Sequence, residues 1–99
     1  MPAYWVARVK VIDTEKYQEY TQLAAVALKK YGARVLARTD SPFVLEGDVA
    51  ESDAQFNRSV IIEFADLKTA QQCHRSPEYQ RAKQARTHAA VVESWIIYP

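Results

Sequence analysis

Between residues 4 and 11 apolar bulk and polar groups alternate, with Trp5, Ala7, Val9 and Val11 on one side and Tyr4, Val6, Arg8 and Lys10 on the other. A period of two is what a strand with two unlike faces requires, and it predicts the first strand. The spacing then becomes helical. Asp13 stands where an N-cap belongs and Glu15 falls in the first turn, facing the positive end of the helix dipole. Tyr17, Tyr20, Leu23, Ala24, Ala27, Leu28 and Tyr31 follow as one apolar stripe. Lys29 and Lys30 suit the last turn, and Gly32 suits the left-handed residue that closes it.

Residues 33–38 read as a second strand, with Val35 and Ala37 facing away from Arg34, Leu36 and Arg38. Thr39-Asp40-Ser41-Pro42 is turn chemistry. Phe43-Val44-Leu45 reads as a short continuation or edge piece, and the acidic residues 48–55 as an exposed hairpin loop. Ser59-Val60-Ile61-Ile62-Glu63-Phe64 carries apolar bulk on both faces, as a central strand does. Asp66 caps a helix with Leu67, Ala70 and Cys73 on its apolar side, until Ser76-Pro77 interrupts it. Ser76 can cap a new helix with Pro77 at its first position, where Tyr79, Ala82 and Arg86 share a face. Residues 91–98 form the last strand, and its pattern leaves open which set faces the helices: Val92, Ser94, Ile96 and Tyr98, or Val91, Glu93, Trp95 and Ile97.

The order β-α-β-β-α-β predicts an α+β, ferredoxin-like domain spanning residues 1–99, a four-stranded antiparallel sheet with two helices on one face. The other face is then too apolar for water. Tyr4, Val6, Leu36, Ile61, Trp95 and Ile97 share it with Arg8, Arg38, Glu63 and Glu93. Contiguous apolar surface beyond about 300–600 Å² is rare on monomers. The expectation is a homodimer whose sheets stack face to face, with the four charged groups pairing across the interface.

Charge adds little at the scale of the whole chain: thirteen basic and twelve acidic residues give a formal net charge of +1, which draws the protein neither to nucleic acid nor to anionic membranes. Its distribution is uneven, with seven acids against Arg58 alone in residues 40–66, then five bases against Glu78 alone in residues 67–92. Cys73 is the only cysteine, which excludes an intrachain disulfide and points to a reducing, cytoplasmic setting. No apolar run approaches the roughly 20 residues of a membrane helix. The topology is also that of an RNA-recognition motif, but Ile61 and Glu63 stand where stacking aromatics and a base would be needed.

Ala3-Tyr4, Asp13 before Tyr17 and Tyr20, Tyr31-Gly32, Val44-Leu45-Glu46-Gly47, Ile62-Glu63-Phe64 and, above all, Ser76-Pro77-Glu78-Tyr79-Gln80 with Lys83 and Arg86 beyond resemble one known group. It is the domain of unknown function 1330 family, in the dimeric α/β-barrel superfamily, and the likeness spans nearly the whole chain. Ala33 and Val49 depart from it, where members often carry glycine and tryptophan. The resemblance implies sheets pairing into a dimeric α/β barrel. It brings in superfamily relatives that include cofactor-free monooxygenases, haem-degrading enzymes and lactone isomerases, each with a pocket between helices and sheet.

That implied pocket has Trp5, Tyr17, Tyr20, Arg38, Glu46, His74 and Tyr79 as its candidate lining, with His74, Tyr79 and Arg38 the candidates for chemistry. The plainer reading makes the tyrosines helix-to-sheet packing, Arg38 and Glu46 an ion pair, and the histidines surface residues, and for the tyrosines and histidines it is the favoured one. No cofactor or metal is expected. His88 is too far from His74 for a helical metal pair, and strand one lacks the asparagine of a superfamily haem site. Three readings stand: a dimer that binds or converts a small apolar or aromatic acid, a structural or stress-associated dimer without chemistry, and a cofactor-independent or haem-degrading monooxygenase.

Overall fold

The computed structural model of the chain describes residues 1–47 and 58–99. Four strands, β1 (Ala3–Val11), β2 (Arg34–Thr39), β3 (Arg58–Phe64) and β4 (Ala90–Ile97), form one sheet in the order β2-β3-β1-β4 with every neighbouring pair antiparallel. Among the described residues the helices are α1 (Thr14–Lys30), α2 (Leu67–Arg75) and α3 (Pro77–Ala85). This is the ferredoxin-like arrangement expected, with the second helical element split in two.

Local chemistry sets the helix ends. Asp13 accepts from the Lys16 N–H at 3.2 Å, and Asp66 accepts from the Thr69 N–H at 2.7 Å, each satisfying a donor of the first turn. Helix α1 closes in a Schellman motif: the Ala33 N–H reaches the Leu28 carbonyl at 2.9 Å and the Gly32 N–H the Lys29 carbonyl at 3.1 Å. Gly32 has φ +68°, a backbone position that costs a side chain dearly. Ser76 ends one helix and begins the next. Its hydroxyl donates to the Cys73 carbonyl at 2.7 Å and accepts from the Tyr79 N–H at 3.1 Å.

The helices cover one face of the sheet. Along β1 burial alternates, and Trp5, Ala7 and Val9 are buried; Trp5 and Ala7 meet Ile62 and Phe64 of β3 with Ala24, Ala27, Ala70, Cys73, Tyr79 and Ala82 of the helices. Pairing across β1 decides the ambiguity in β4. Trp5 faces Ile96 and Val9 faces Val92, so that set lies on the helix side, while Trp95 beside Val6 and Ile97 beside Tyr4 lie on the open face.

Strand β2 differs from the alternation expected of it. Val35 pairs with Ile62 but Ala37 pairs with Ile61, a bulge that leaves Leu36 between them. Val35 and Ala37 therefore lie on opposite faces rather than the same one, and Arg38, opposite Val60, comes to the helix side. The open face keeps Arg8, Glu63 and Glu93 but not Arg38. Its charges make pairs within the chain, Arg8 to Glu93 at 3.4 Å and Arg34 to Glu63 at 3.1 Å. Residues 42–45 adopt neither helix nor strand, contrary to the continuation expected at Phe43-Val44-Leu45, and the loop expected at residues 48–55 lies outside the described residues.

Candidate functional site

Period-two geometry aims Trp5 into the layer between sheet and helices, and the Ser76 junction aims Tyr79 back at it. The Trp5 ring stacks on Phe64 with centroids 5.8 Å apart and meets His74 and Tyr79 edge-on at 5.5 and 5.1 Å. Tyr79 in turn reaches Tyr20 of α1, hydroxyl to hydroxyl at 2.8 Å, and the Tyr20 ring lies 5.1 Å from that of Tyr17. A continuous row of five rings thus runs from α2 to α1 across the sheet.

Two guanidinium groups close the α1 end of the row. Arg86, one residue past α3, sits 4.6 Å from the centroid of the Tyr20 ring and donates a long bond of 3.5 Å to the Tyr79 hydroxyl. Arg58, the first residue of β3, sits 5.3 Å from the centroid of the Tyr17 ring. A cation over an aromatic face is attracted by the ring quadrupole, and more so where water is thinned out. Each arginine is therefore held against a ring that itself is fixed in the core.

Burial sets the proton affinities here. It pushes the Tyr20 hydroxyl well above its usual range, with Tyr79 adding to the shift and Arg86 opposing it. Tyr17 moves the same way for the same reason, against the pull of Arg58. His74 moves down, first by burial and then by the positive charges of Lys83, Arg86 and Arg75, so its imidazole is neutral at pH 7. The thiol of Cys73, which burial pushes up to about 11, is inert.

Beside this end of the row a polar notch of about 320 Å³ opens between α1 and the β2–β3 edge, lined by Thr21, Arg38, Thr39, Asp40 and Arg58. Asp40 grips the Arg58 fork, Oδ1 accepting from Nε at 2.8 Å and Oδ2 from Nη2 at 3.4 Å. The guanidinium holds the Asp40 carboxyl below its ordinary range. Among the described residues Arg38 has no carboxylate of its own. A second, apolar depression of about 350 Å³ lies on the open face, where Val6, Ala37, Ile61 and Trp95 contribute to its lining.

Of the residues expected to line a site, Trp5, Tyr17, Tyr20, His74 and Tyr79 come together in the ring row, and Arg38 stands at the neighbouring notch beside Arg58. Glu46 does not join them. It is exposed, and the ion pair of this region is Arg58 with Asp40 rather than Arg38 with Glu46. Arg58 and Arg86 were not among the residues the sequence singled out for a site. The signal was present for both: Arg58 shares the period-two face of Val60 and Ile62, and Arg86 follows Tyr79 by seven residues on one helical face. Among the described residues no group of three or more His, Cys, Asp or Glu gathers to hold a metal ion, and no helix is long and apolar enough to cross a membrane.

Over residues 2–98 the sequence matches the pattern of "Domain of unknown function (DUF1330)". The chain belongs to the DUF1330 family. No curated protein matches this DUF1330 chain in sequence. In three dimensions it is similar to a protein of unknown function from Rhodopseudomonas palustris, with a TM-score of 0.78 at 19% identity over 99% of this chain and 82% of that one. A dimeric ferredoxin-like protein of unknown function from Jannaschia sp. CCS1 has a TM-score of 0.70 at 10% identity, with both chains covered in full (100% each). SnoaB, a cofactor-independent oxygenase from Streptomyces nogalater, has a TM-score of 0.65 at 14% identity over 99% of this chain and 92% of that one. At these identities the likeness is one of fold.

Proposed function

We propose that this DUF1330 protein is a single-domain homodimer that binds a small aromatic or apolar acid between its helices and its sheet. The observation that carries the reading is the row of rings ending in guanidinium groups. Rings give an apolar body its contact area, and a planar fork of N–H donors gives a carboxylate its orientation. Tyr17, Tyr20 and Tyr79 serve the body of the ligand; Arg58, Arg86 and Arg38 serve its charge. The homodimer rests on the apolar open face and on the likeness to the dimeric protein from Jannaschia.

Calorimetric titration with benzoate, benzyl alcohol and benzylamine tests the ligand class. Benzoate is expected to bind most tightly, and Arg58→Ala or Arg86→Ala to weaken it by about tenfold or more, the range for losing a hydrogen bond to a charged group. Benzylamine binding as well as benzoate would overturn the reading.

Conversion of the acid by cofactor-independent oxygenation is a second reading, favoured by the likeness to SnoaB and by a neutral imidazole beside Trp5 and Tyr79. His74 would take a proton from a phenolic substrate before it meets dioxygen. Oxygen uptake that His74→Ala abolishes, with benzoate affinity kept, supports this; no uptake with any phenolic acid leaves a binding protein.

A further inference from the structure

The notch between α1 and the β2–β3 edge has a feature that ligand binding alone does not explain: a carboxylate is already in it. Arg58 presents two of its N–H donors to Asp40 in the side-on fork that a ligand carboxylate would use. We propose that Asp40 is a built-in stand-in for the ligand's acid group, occupying the anion seat formed by Arg58 and Arg38 and leaving it when a carboxylate ligand arrives. The inference rests on the acid-binding reading above and names its anion seat.

Three observations meet here. Arg58 has a second hold besides Asp40, since its guanidinium lies over the Tyr17 ring, which is buried. With Asp40 withdrawn the fork stays aimed into the notch. Asp40 itself is free to withdraw: its side chain is 63% exposed and follows the last residue of β2, so swinging out leaves no charge buried. Arg38 then completes the seat. The bulge at Leu36 turns it to the helix side, where it lines the same notch without a carboxylate partner among the described residues. Two guanidinium groups and one weakly held internal anion make a seat whose resting occupant competes with the ligand at high local concentration.

An exposed ion pair is a weak competitor, so its removal gives a modest gain: benzoate should bind Asp40→Asn about two- to fivefold more tightly than it binds the wild type. The titration is followed by the Nε–Hε resonance of Arg58, with Asp40→Ala as a second variant. The resonance should move on benzoate addition in all three proteins, and farthest in Asp40→Asn and Asp40→Ala, where the fork starts without a carboxylate. Arg38→Ala should weaken benzoate in both the wild-type and Asp40→Asn backgrounds. Should benzoate bind all three proteins equally, the acid-binding reading survives and the role of Asp40 falls. A shift confined to the tyrosine rings, with Arg58 unmoved, moves the seat elsewhere and overturns the proposal. If benzoate binds none of the three, both readings fall together.

Discussion

At the scale of single residues, the hydroxyl pair Tyr20–Tyr79 joins the two helical elements with one hydrogen bond in a half-buried setting. Tyr79→Phe leaves the Tyr20 hydroxyl without its partner, whereas Tyr20→Phe leaves the Tyr79 hydroxyl its long bond from Arg86, so the first change should cost about 1 kcal/mol, the second less, and the double change less than the sum. Urea denaturation of the three variants measures this coupling. The same tyrosines set an alkaline limit. Tyr20 and Tyr17 keep their protons in the folded protein at pH values where the unfolded chain, with tyrosines near 10.0, gives them up. Cys73 behaves alike from lower pH, since its ordinary value is 9.0 and burial raises it to about 11. Above these unfolded values the unfolded state binds fewer protons than the folded one, so stability falls as pH rises. Denaturation midpoints should hold level through pH 8, start down near pH 9 and fall faster above 10. Tyr20→Phe should flatten the upper part of that slope.

Among the elements, the junction of α2 and α3 is set by one side chain. The Ser76 hydroxyl serves both helices at once, and the serine is almost fully buried. Ser76→Ala should destabilise the protein by about 1 kcal/mol, within the range of 0.5–2 for a lost N-cap, and lower the thermal midpoint by about 4–8 °C. Ser76→Thr keeps the oxygen and should recover part of the loss. This junction was legible in the sequence, as were the Asp13 and Asp66 caps and the Gly32 terminus, because capping is decided within four residues. The bulge in β2 was not. Pairing of Val35 with Ile62 and Ala37 with Ile61 is settled between strands over twenty residues apart, and nothing inside residues 34–39 announces it. The candidate site was legible to the same extent. Its rings could be found from helical and strand periods, whereas Arg38 changed faces with the bulge and Arg58 lay in a stretch that reads as polar approach to a strand.

For the whole molecule, the open sheet face has the composition of an interior. Ile61, Trp95 and Ile97 keep 39%, 46% and 55% of their surface in water, beside Val6. A standard interface covers about 800 Å² on each partner. At about 25 cal/mol per Å², with half of that area apolar, stacking two such faces contributes roughly 20 kcal/mol, against an association cost of about 4–15 kcal/mol. The charges on this face need not oppose such a pairing, since Arg8 and Glu93, like Arg34 and Glu63, are matched within one chain and would enter a contact as neutral pairs. Light scattering on a sizing column should therefore find a dimer at micromolar concentration. Trp95 stands on the outermost paired strand with an indole larger than any neighbour, the kind of group whose loss weakens association most. Trp95→Glu should raise the dissociation constant at least about 30-fold, the equivalent of 2 kcal/mol, and leave the far-ultraviolet circular dichroism of the folded chain unchanged. A wild-type protein that stays monomeric at that concentration would overturn the dimer, and a Trp95→Glu variant that dimerises as well as its parent would place the contact on another face. The guanidinium end of the ring row, where the proposed acid would sit, lies on the helix side of the sheet, away from the open face. Monomeric Trp95→Glu should accordingly still bind benzoate, which makes assembly and recognition separable in one variant.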